Sequence, residues 1–345
     1  MCGNFRQVKC NLLLMVLALG WGSLAVPSAA QEDARKVKGR AGFSRDLQFG
    51  YQSRQGEGRK RRVLLWYPTE GQEVRFRYAA QIGMIAPGAP VAEGPHPVVV
   101  FSHGFWGAAD QSVFLMEALA RAGYLVASLH HEDATHALKR QRVPMPNFLK
   151  AGQWNRDKFF DRREDVAALL DYLLEQNTAE GSPLHGRIEA DKIGGAGHSL
   201  GGYTMLGMAG GWESWKDERM RAYLLLSPYV MPFLDRGALH GVSAPVMIQG
   251  GTWDLGVTTF LKRFYDQLET TKYYLVLRRA GHYAWTDLNS VGRTTTEALG
   301  KGNPRLIADY SIAFFDRHLR GLERGRELSG DGRKLRTWLS EEQDD

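Results

Sequence analysis

Between residues 97 and 319, short apolar runs alternate with amphipathic stretches, and that alternation admits one broad architecture. The run at 97–101 (PVVVF) is followed by a helical pattern over 111–121 and a strand pattern at 124–129. A helix over 163–174 comes next, with its apolar face at Val166, Leu169, Leu170 and Leu173. A short strand at 192–196 meets Gly197-His198-Ser199, and small residues continue as a helix from Leu200. Strands follow at 223–226, 245–249 and 273–277, and the last helix covers 306–319. Earlier, 63–67 (VLLWY) reads as a strand stopped by Pro68, and 87–97 as a Pro/Gly-rich loop. Strands that are apolar on both faces and separated by helices predict an α/β fold: a mostly parallel central sheet with helices on both faces.

With 43% hydrophobic and 24% charged residues the chain can bury an ordinary core, which excludes disorder and a disulfide scaffold. Residues 1–30 read as a secretory signal peptide. Arg6 and Lys9 precede an apolar run at 12–26, and Ser28-Ala29-Ala30 offers small residues for cleavage before Gln31. The run is short for a membrane span, so the expectation is export to the periplasm or the medium. Loss of the leader leaves 315 of the 345 residues and removes Cys2 and Cys10, the two cysteines of the sequence. That excludes disulfides, thiol catalysis and cysteine-held metals from the mature chain. Two cations and no acid leave with it, so the net charge falls from +6 to +4, too little to suggest a nucleic-acid partner. The expected organisation is a leader at 1–30, a polar lead-in at 31–59, one domain at 60–322 and a polar tail at 323–345.

Gly197-His198-Ser199-Leu200-Gly201 matches Gly-x-Ser-x-Gly where a strand pattern turns into a small-residue helix. Such a turn needs glycines, pushes the Ser199 hydroxyl out above the strand ends and aims the Leu200 N–H at an oxyanion. A serine hydroxyl needs a base oriented by a carboxylate, and the chain order for this turn is Ser, then acid, then His. Asp254 follows the strand pattern 245–249, and His282 follows 273–277. In a parallel sheet both lie on the edge where ligands bind. Ser199, His282 and Asp254 are therefore the candidate nucleophile, base and acid. Asp235 and His240 are rivals, but each sits in an irregular stretch rather than at a strand end. Ser102-His103-Gly104-Phe105 follows PVVVF, and its turn offers the Phe105 N–H as a second oxyanion donor.

These motifs resemble those of serine hydrolases with the α/β-hydrolase fold, over about residues 60–320. The SHG turn, GRIEADKIG at 186–194 and GHSLGGYT at 197–204 are similar to the dienelactone-hydrolase-like group, which includes the platelet-activating-factor acetylhydrolases. The resemblance implies an esterase without a cofactor. Two departures narrow it. Dienelactone hydrolases use a cysteine where Ser199 stands, which points to general ester cleavage. The acetylhydrolases carry their acid after the strand that follows the nucleophile helix, where Leu226-Ser227-Pro228-Tyr229 has none; that leaves Asp254 as the acid.

About 16 residues separate Tyr229 from Pro245, too few for the large cap domain that this fold often inserts there. The connection 131–157, with Pro144, Pro146, Phe148 and Trp154, is the expected flap. Trp106, Trp253, Tyr283 and Trp285 adjoin the candidate site residues and are the expected pocket walls. Trp212 and Trp215 are either a packed helix end or a peripheral lipid contact. His130-His131-Glu132-Asp133 with His136 has metal-binding residue types, but adjacent histidines on a strand point apart, so no metal is expected. The sequence thus reads as a carboxylic ester hydrolase acting on small-molecule or lipid esters. A lipase- or phospholipase-type enzyme, and a non-catalytic binding protein on a hydrolase scaffold, are the alternatives.

Overall fold

The computed structural model describes residues 39–79, 81–135, 143–234, 238–290, 292–300, 302–322 and 335–343. The predicted leader lies outside them, as do the rivals' Asp235 and the metal reading's His136. The strands are β1 (Arg40–Ser44), β2 (Gln48–Gln52), β3 (Gly58–Thr69), β4 (Val74–Arg77), β5 (Ile82–Pro87) and β6 (His96–Ser102). They continue as β7 (Leu125–Leu129), β8 (Ile188–His198), β9 (Met220–Leu226), β10 (Val246–Gly251), β11 (Lys272–Leu277) and β12 (Leu335–Glu341). They form one sheet in the order β12-β11-β10-β9-β8-β6-β7-β3-β1-β5-β4, with β2 paired to β3. From β7 to β11 every pairing is parallel.

The central strands are largely apolar where helices cover both faces. Along β6, Val98 and Val100 point to one core while Val99 and Phe101 point to the other. The first core is closed by α2 (Phe160–Thr178), α3 (Leu200–Leu206) and α4 (Leu255–Gln267), through Val166, Leu170, Tyr203 and Phe264. The second is closed by α1 (Val113–Arg121) and α6 (Asn303–Arg320), through Leu115, Leu119, Ile312 and Phe315. Helix α6 has Pro304 in its first turn and stops at Gly321, whose φ of 65° is the left-handed conformation that ends helices. The short helix α5 (Thr295–Leu299) is held by a capping box between Thr294 and Glu297.

The sheet is wider than the sequence pattern predicts. Residues 31–59, read as a polar lead-in, contain β1, β2 and the start of β3. Residues 323–345, read as a tail, contain β12, which pairs antiparallel with β11 and lays Trp338 opposite Leu275. Trp338 packs its ring against Tyr273 and Tyr310. β2, the start of β3 and β12 carry exposed or charged residues that hide their strand signal, and β1, though buried, is only five residues long. The parallel register sets up the rest. Ser102 lies opposite Gly197, His198 opposite Leu226, Leu226 opposite Gln249 and Gly251 opposite Leu277. The ends of β6, β8, β9, β10 and β11 therefore form one continuous edge.

Candidate active site

Ser199 is the joint between β8 and α3, with φ 54° and ψ −114°, a backbone conformation non-glycine residues rarely adopt. It is held there from three sides. Its N–H donates to the Leu226 carbonyl at 3.0 Å, and its own carbonyl accepts from Tyr203 N–H at 3.1 Å and Tyr229 N–H at 3.0 Å. The flanking glycines are a steric requirement. A Cβ on Gly201 would stand 1.9 Å from the Ser102 carbonyl oxygen, and one on Gly197 would stand 2.3 Å from that of Gly201. The turn thus packs backbone on backbone and leaves the Ser199 side chain facing out of the edge.

His282 begins a single 3-10 turn (His282–Trp285) beyond β11, and Asp254 lies between β10 and α4. The imidazole links the other two side chains. Its Nε2 is 3.0 Å from Ser199 Oγ and its Nδ1 is 2.9 Å from Asp254 Oδ2. A carboxylate at Nδ1 demands the proton there, which leaves Nε2 with the lone pair that faces the serine hydroxyl. Asp254 is buried, and although it precedes a helix its side chain makes no capping bond. The carboxylate is therefore not spent on the helix end and faces the imidazole. His240, the rival base, is exposed and paired with Glu269.

Three groups that no motif announced complete the setting. The buried hydroxyl of Ser227, just past β9, donates to Asp254 Oδ2 and stands 3.1 Å from His282 Nδ1. His198 Nε2 donates to the His282 carbonyl oxygen at 2.9 Å, and its Nδ1 accepts from Gln111 Nε2 at 3.2 Å. Both ring nitrogens are then satisfied in the neutral form. Burial, reinforced by the neighbouring His282, pushes the His198 ring down to about 3. Gln111 turns its other amide end toward the N–H of Gly104 at 3.1 Å, so it also braces the turn after β6.

That turn is fixed from beneath by a buried cation. Arg162, wholly buried at the start of α2, donates from Nη1 to the His103 carbonyl at 2.7 Å and from Nη2 to the Gly104 carbonyl at 3.3 Å. The other side of its guanidinium forks onto Asp133, with Nε to Oδ1 at 2.9 Å and Nη2 to Oδ2 at 2.7 Å. Burial alone would raise the Asp133 carboxyl, but Arg162 holds it well below the usual carboxylate range. Asp133 Oδ2 also accepts the Trp106 N–H at 3.2 Å. With Gly104 and Trp106 donating elsewhere, Phe105 N–H is left between them. Among the described residues neither it nor the Leu200 N–H donates to another protein group. Leu200 follows Ser199 in the chain, and Phe105 lines the same cleft as Ser199. His131 belongs to the same support: it lies 2.9 Å from Ser102 Oγ and 2.8 Å from Asp165 Oδ2. The run His130–Asp133 thus braces this region, since His130 also accepts from Ala109 N–H and His131 N–H donates to His103 Nε2.

Above Ser199 and His282 lies an open cleft of about 600 Å³, walled by Phe105, Trp106, Met145, Phe148, Tyr283 and Leu288. Of the predicted walls, Trp106 and Tyr283 are there. Trp285 is not: it is fully buried beneath the site, donating to Gln249 Oε1. Trp253 does not line the cleft either; it stands 68% exposed beside Asp254. The lipid-anchor reading of Trp215 also fails, since the ring is fully buried and donates to the Arg156 carbonyl. Half-buried Trp212 donates to Tyr203 Oη, so this is a packed helix end. The described part of the 131–157 connection is anchored rather than free: Tyr229 Oη donates to the Phe148 carbonyl at 2.6 Å, and Trp154 packs on Tyr229.

Comparison with known proteins bears on the family and the fold. A family described as PETase, PET hydrolase-like, matches residues 153–342. A cutinase of Thermobifida alba is 25% identical over 199 residues, 56% of this chain and 55% of the cutinase, so the match spans about half the length of that relative. The solved structure of a ferulic acid esterase from Streptomyces cinnamoneus superposes with a TM-score of 0.58 over 84% of this chain and 92% of that one, at 24% identity. The shared feature is the α/β-hydrolase fold, with its mostly parallel central sheet.

Proposed function

Because the chain belongs to the PET hydrolase-like family, we propose that it is a serine hydrolase of carboxylic esters. One observation carries the reading: a single imidazole stands 3.0 Å from Ser199 Oγ and 2.9 Å from Asp254 Oδ2. Ser199 Oγ attacks the ester carbonyl as its proton passes to His282 Nε2. The Phe105 and Leu200 N–H groups hold the oxygen that becomes negative. The tetrahedral intermediate collapses, the alcohol leaves with the proton from Nε2, and an acyl-serine remains. Water attacks that acyl group by the same sequence, losing its proton to Nε2, and the acid and free Ser199 are released. Asp254 keeps Nδ1 protonated and stabilises the imidazolium formed in each half.

The cleft favours apolar, neutral esters. Its walls are aromatic and aliphatic, no Lys or Arg is among its described lining residues, and Asp110 and Asp287 are. Its rim favours large substrates over small ones. Met145, Tyr283 and Leu288 line the cleft and are large hydrophobic residues left exposed, and Trp253 and Leu255, which flank Asp254 in the chain, are exposed as well. Lipid and polymeric esters fit such a rim, which is the reading that competes with a short-acyl esterase. Export by the 1–30 leader accords with substrates outside the cell, and an exported protein whose first residue is Gln31 is the expected form.

The test is hydrolysis of p-nitrophenyl acetate, butyrate, octanoate and palmitate by the wild type and Ser199→Ala. The wild type should turn over and the variant should lose at least roughly 10³-fold in kcat. Rates that climb with chain length select the lipid-esterase reading. Equal activity in both proteins overturns the role of Ser199. A wild type that is inactive and unlabelled by a fluorophosphonate probe is a binding protein.

A further inference from the structure

We propose that Gln111 is a positioning residue for catalysis: its amide clasps the turn after β6, which carries the proposed oxyanion donor Phe105, to the segment that carries His282. The proposal rests on the roles assigned above to Ser199, His282 and Phe105. The bonds of this clasp can run in one direction only. Gly104 N–H can only donate, so the Gln111 atom 3.1 Å from it is the amide oxygen Oε1. The amide nitrogen then faces His198 Nδ1 at 3.2 Å, and that ring nitrogen accepts. The proton of this buried, neutral ring is left on Nε2, which donates to the His282 carbonyl oxygen at 2.9 Å. One backbone N–H thus sets an amide, the amide sets a tautomer, and the tautomer supplies the donor that holds the backbone of His282.

The chain around Gln111 is laced to both parts. Its N–H donates to the Ala108 carbonyl at 3.1 Å, and its carbonyl accepts the Asp287 N–H at 2.8 Å, just past the His282–Trp285 turn. Ser112 Oγ donates to the Trp285 carbonyl at 2.6 Å, and the Asp287 carboxylate accepts from Val113 N–H at 2.8 Å and Phe114 N–H at 3.3 Å. Glycines keep the space that the amide fills. A Cβ on Gly107 would stand 2.3 Å from Gln111 Oε1, and one on Gly104 would stand 3.1 Å from His198 Nδ1. Both glycines of the run Ser102-His103-Gly104-Phe105-Trp106-Gly107 therefore serve the clasp. Gln111 also lines the cleft, so its effect on turnover has to be separated from substrate contact.

The experiment measures kcat and KM with p-nitrophenyl butyrate for the wild type, Gln111→Met, Gln111→Glu, His198→Leu and Gln111→Met/His198→Leu. Gln111→Met fills similar volume and makes neither bond, so kcat should fall about twentyfold at unchanged KM. Gln111→Glu keeps an acceptor for Gly104 N–H but offers His198 no donor, and should lose about fivefold. His198→Leu should lose about tenfold, and the double variant no more than about thirtyfold, because the two side chains act in one chain. A double variant slowed by the product of the single losses, about 200-fold, overturns the inference. So does a Gln111→Met whose kcat stays within about twofold of wild type, or whose loss is confined to KM. If Gln111→Met does not fold, Gln111→Glu decides: a loss of about fivefold in kcat supports the clasp, and wild-type kcat overturns it. NMR of proteins carrying 15N in their histidine rings reads the same clasp without turnover. Wild-type His198 should show a protonated Nε2 and a bare Nδ1, and the His282 Nδ1 proton should exchange slowly with water. In Gln111→Met the tautomers of His198 should mix, and that proton should exchange at least roughly tenfold faster. Spectra that Gln111→Met leaves unchanged overturn the inference whether or not the protein cleaves the ester. Ser199→Ala at wild-type activity would instead overturn the nucleophile, an outcome these spectra do not share.

Discussion

Replacing Arg162 with methionine tests how the turn after β6, which carries the proposed oxyanion donor Phe105, is held. The side chain is wholly buried and spans Asp133, the His103 carbonyl and the Gly104 carbonyl. Methionine fills similar volume but donates nothing. The variant leaves Asp133 buried without its counter-ion, a loss of roughly 3–5 kcal/mol. The 2.7 Å bond to the His103 carbonyl also goes, while Gly104 keeps the donors Gly107 N–H and His103 Nδ1. The effects overlap, so a total of about 4 kcal/mol is expected, a large part of an ordinary protein's stability. Urea unfolding followed by tryptophan fluorescence measures it. Activity should fall separately. The Phe105 N–H is aimed by that turn, and losing one oxyanion donor outright costs about 10²- to 10³-fold in kcat, which bounds the effect from above. Adding Asp133→Asn removes the stranded charge yet keeps an acceptor for Trp106 N–H. The double variant should therefore regain roughly 2 kcal/mol over Arg162→Met while kcat stays low. A single variant that loses less than about 1 kcal/mol, or a double variant less stable than the single, refutes the reasoning.

Two further outcomes follow from the same geometry. His198 is neutral when folded, pushed down to about 3, but takes a proton near pH 6.5 when unfolded, so falling pH below that value favours the unfolded chain. Between pH 6 and 4 the wild type should lose about 1.4 kcal/mol per pH unit more than His198→Gln, read from urea midpoints at each pH; parallel curves would show that the ring is protonated in the fold. Ending the chain at residue 334 removes β12 and exposes the edge of β11, all six residues of which are buried. Loss of the Leu335 and Trp338 contacts should lower stability by roughly 3 kcal/mol or more, with aggregation visible by light scattering; a monomeric protein of unchanged midpoint would assign β12 no structural role.

The parallel core was legible because burial on both faces forces long apolar runs, and 97–101 and 273–277 sit inside β6 and β11. The order of Ser199, Asp254 and His282 was legible because each stands just past such a run. The flanks were not. In β3 the residues that face water include Lys60 and Arg62, and in β12 the apolar pattern is broken by Arg336 and Thr337. Those strands are defined by partners far away in the chain, and no local period records a partner. Trp285 shows the limit for the pocket: adjacency to His282 in sequence put it near the site, but a 3-10 turn directs it down into the core.

The supports of the site did leave a trace that periodicity alone treats as noise. Arg162 and Asp165 fall on the same helical stripe of α2 as Val166, Leu169, Leu170 and Leu173, and all are buried. A charge on the apolar stripe of a helix has to find a partner or unfold the helix. Here the two charges find partners under the turn after β6: Arg162 on Asp133 and two carbonyls, Asp165 on His131 and Arg61. The apolar face of α2 therefore does two things at once. Its C-terminal part holds the sheet, and its first turn carries the cation that fixes the direction of the Phe105 N–H. Substitutions at Val166 or Leu169 should then register as lost stability, and those at Arg162 as lost stability together with lost kcat. That division separates a packing residue from one that acts through the turn carrying the proposed oxyanion donor.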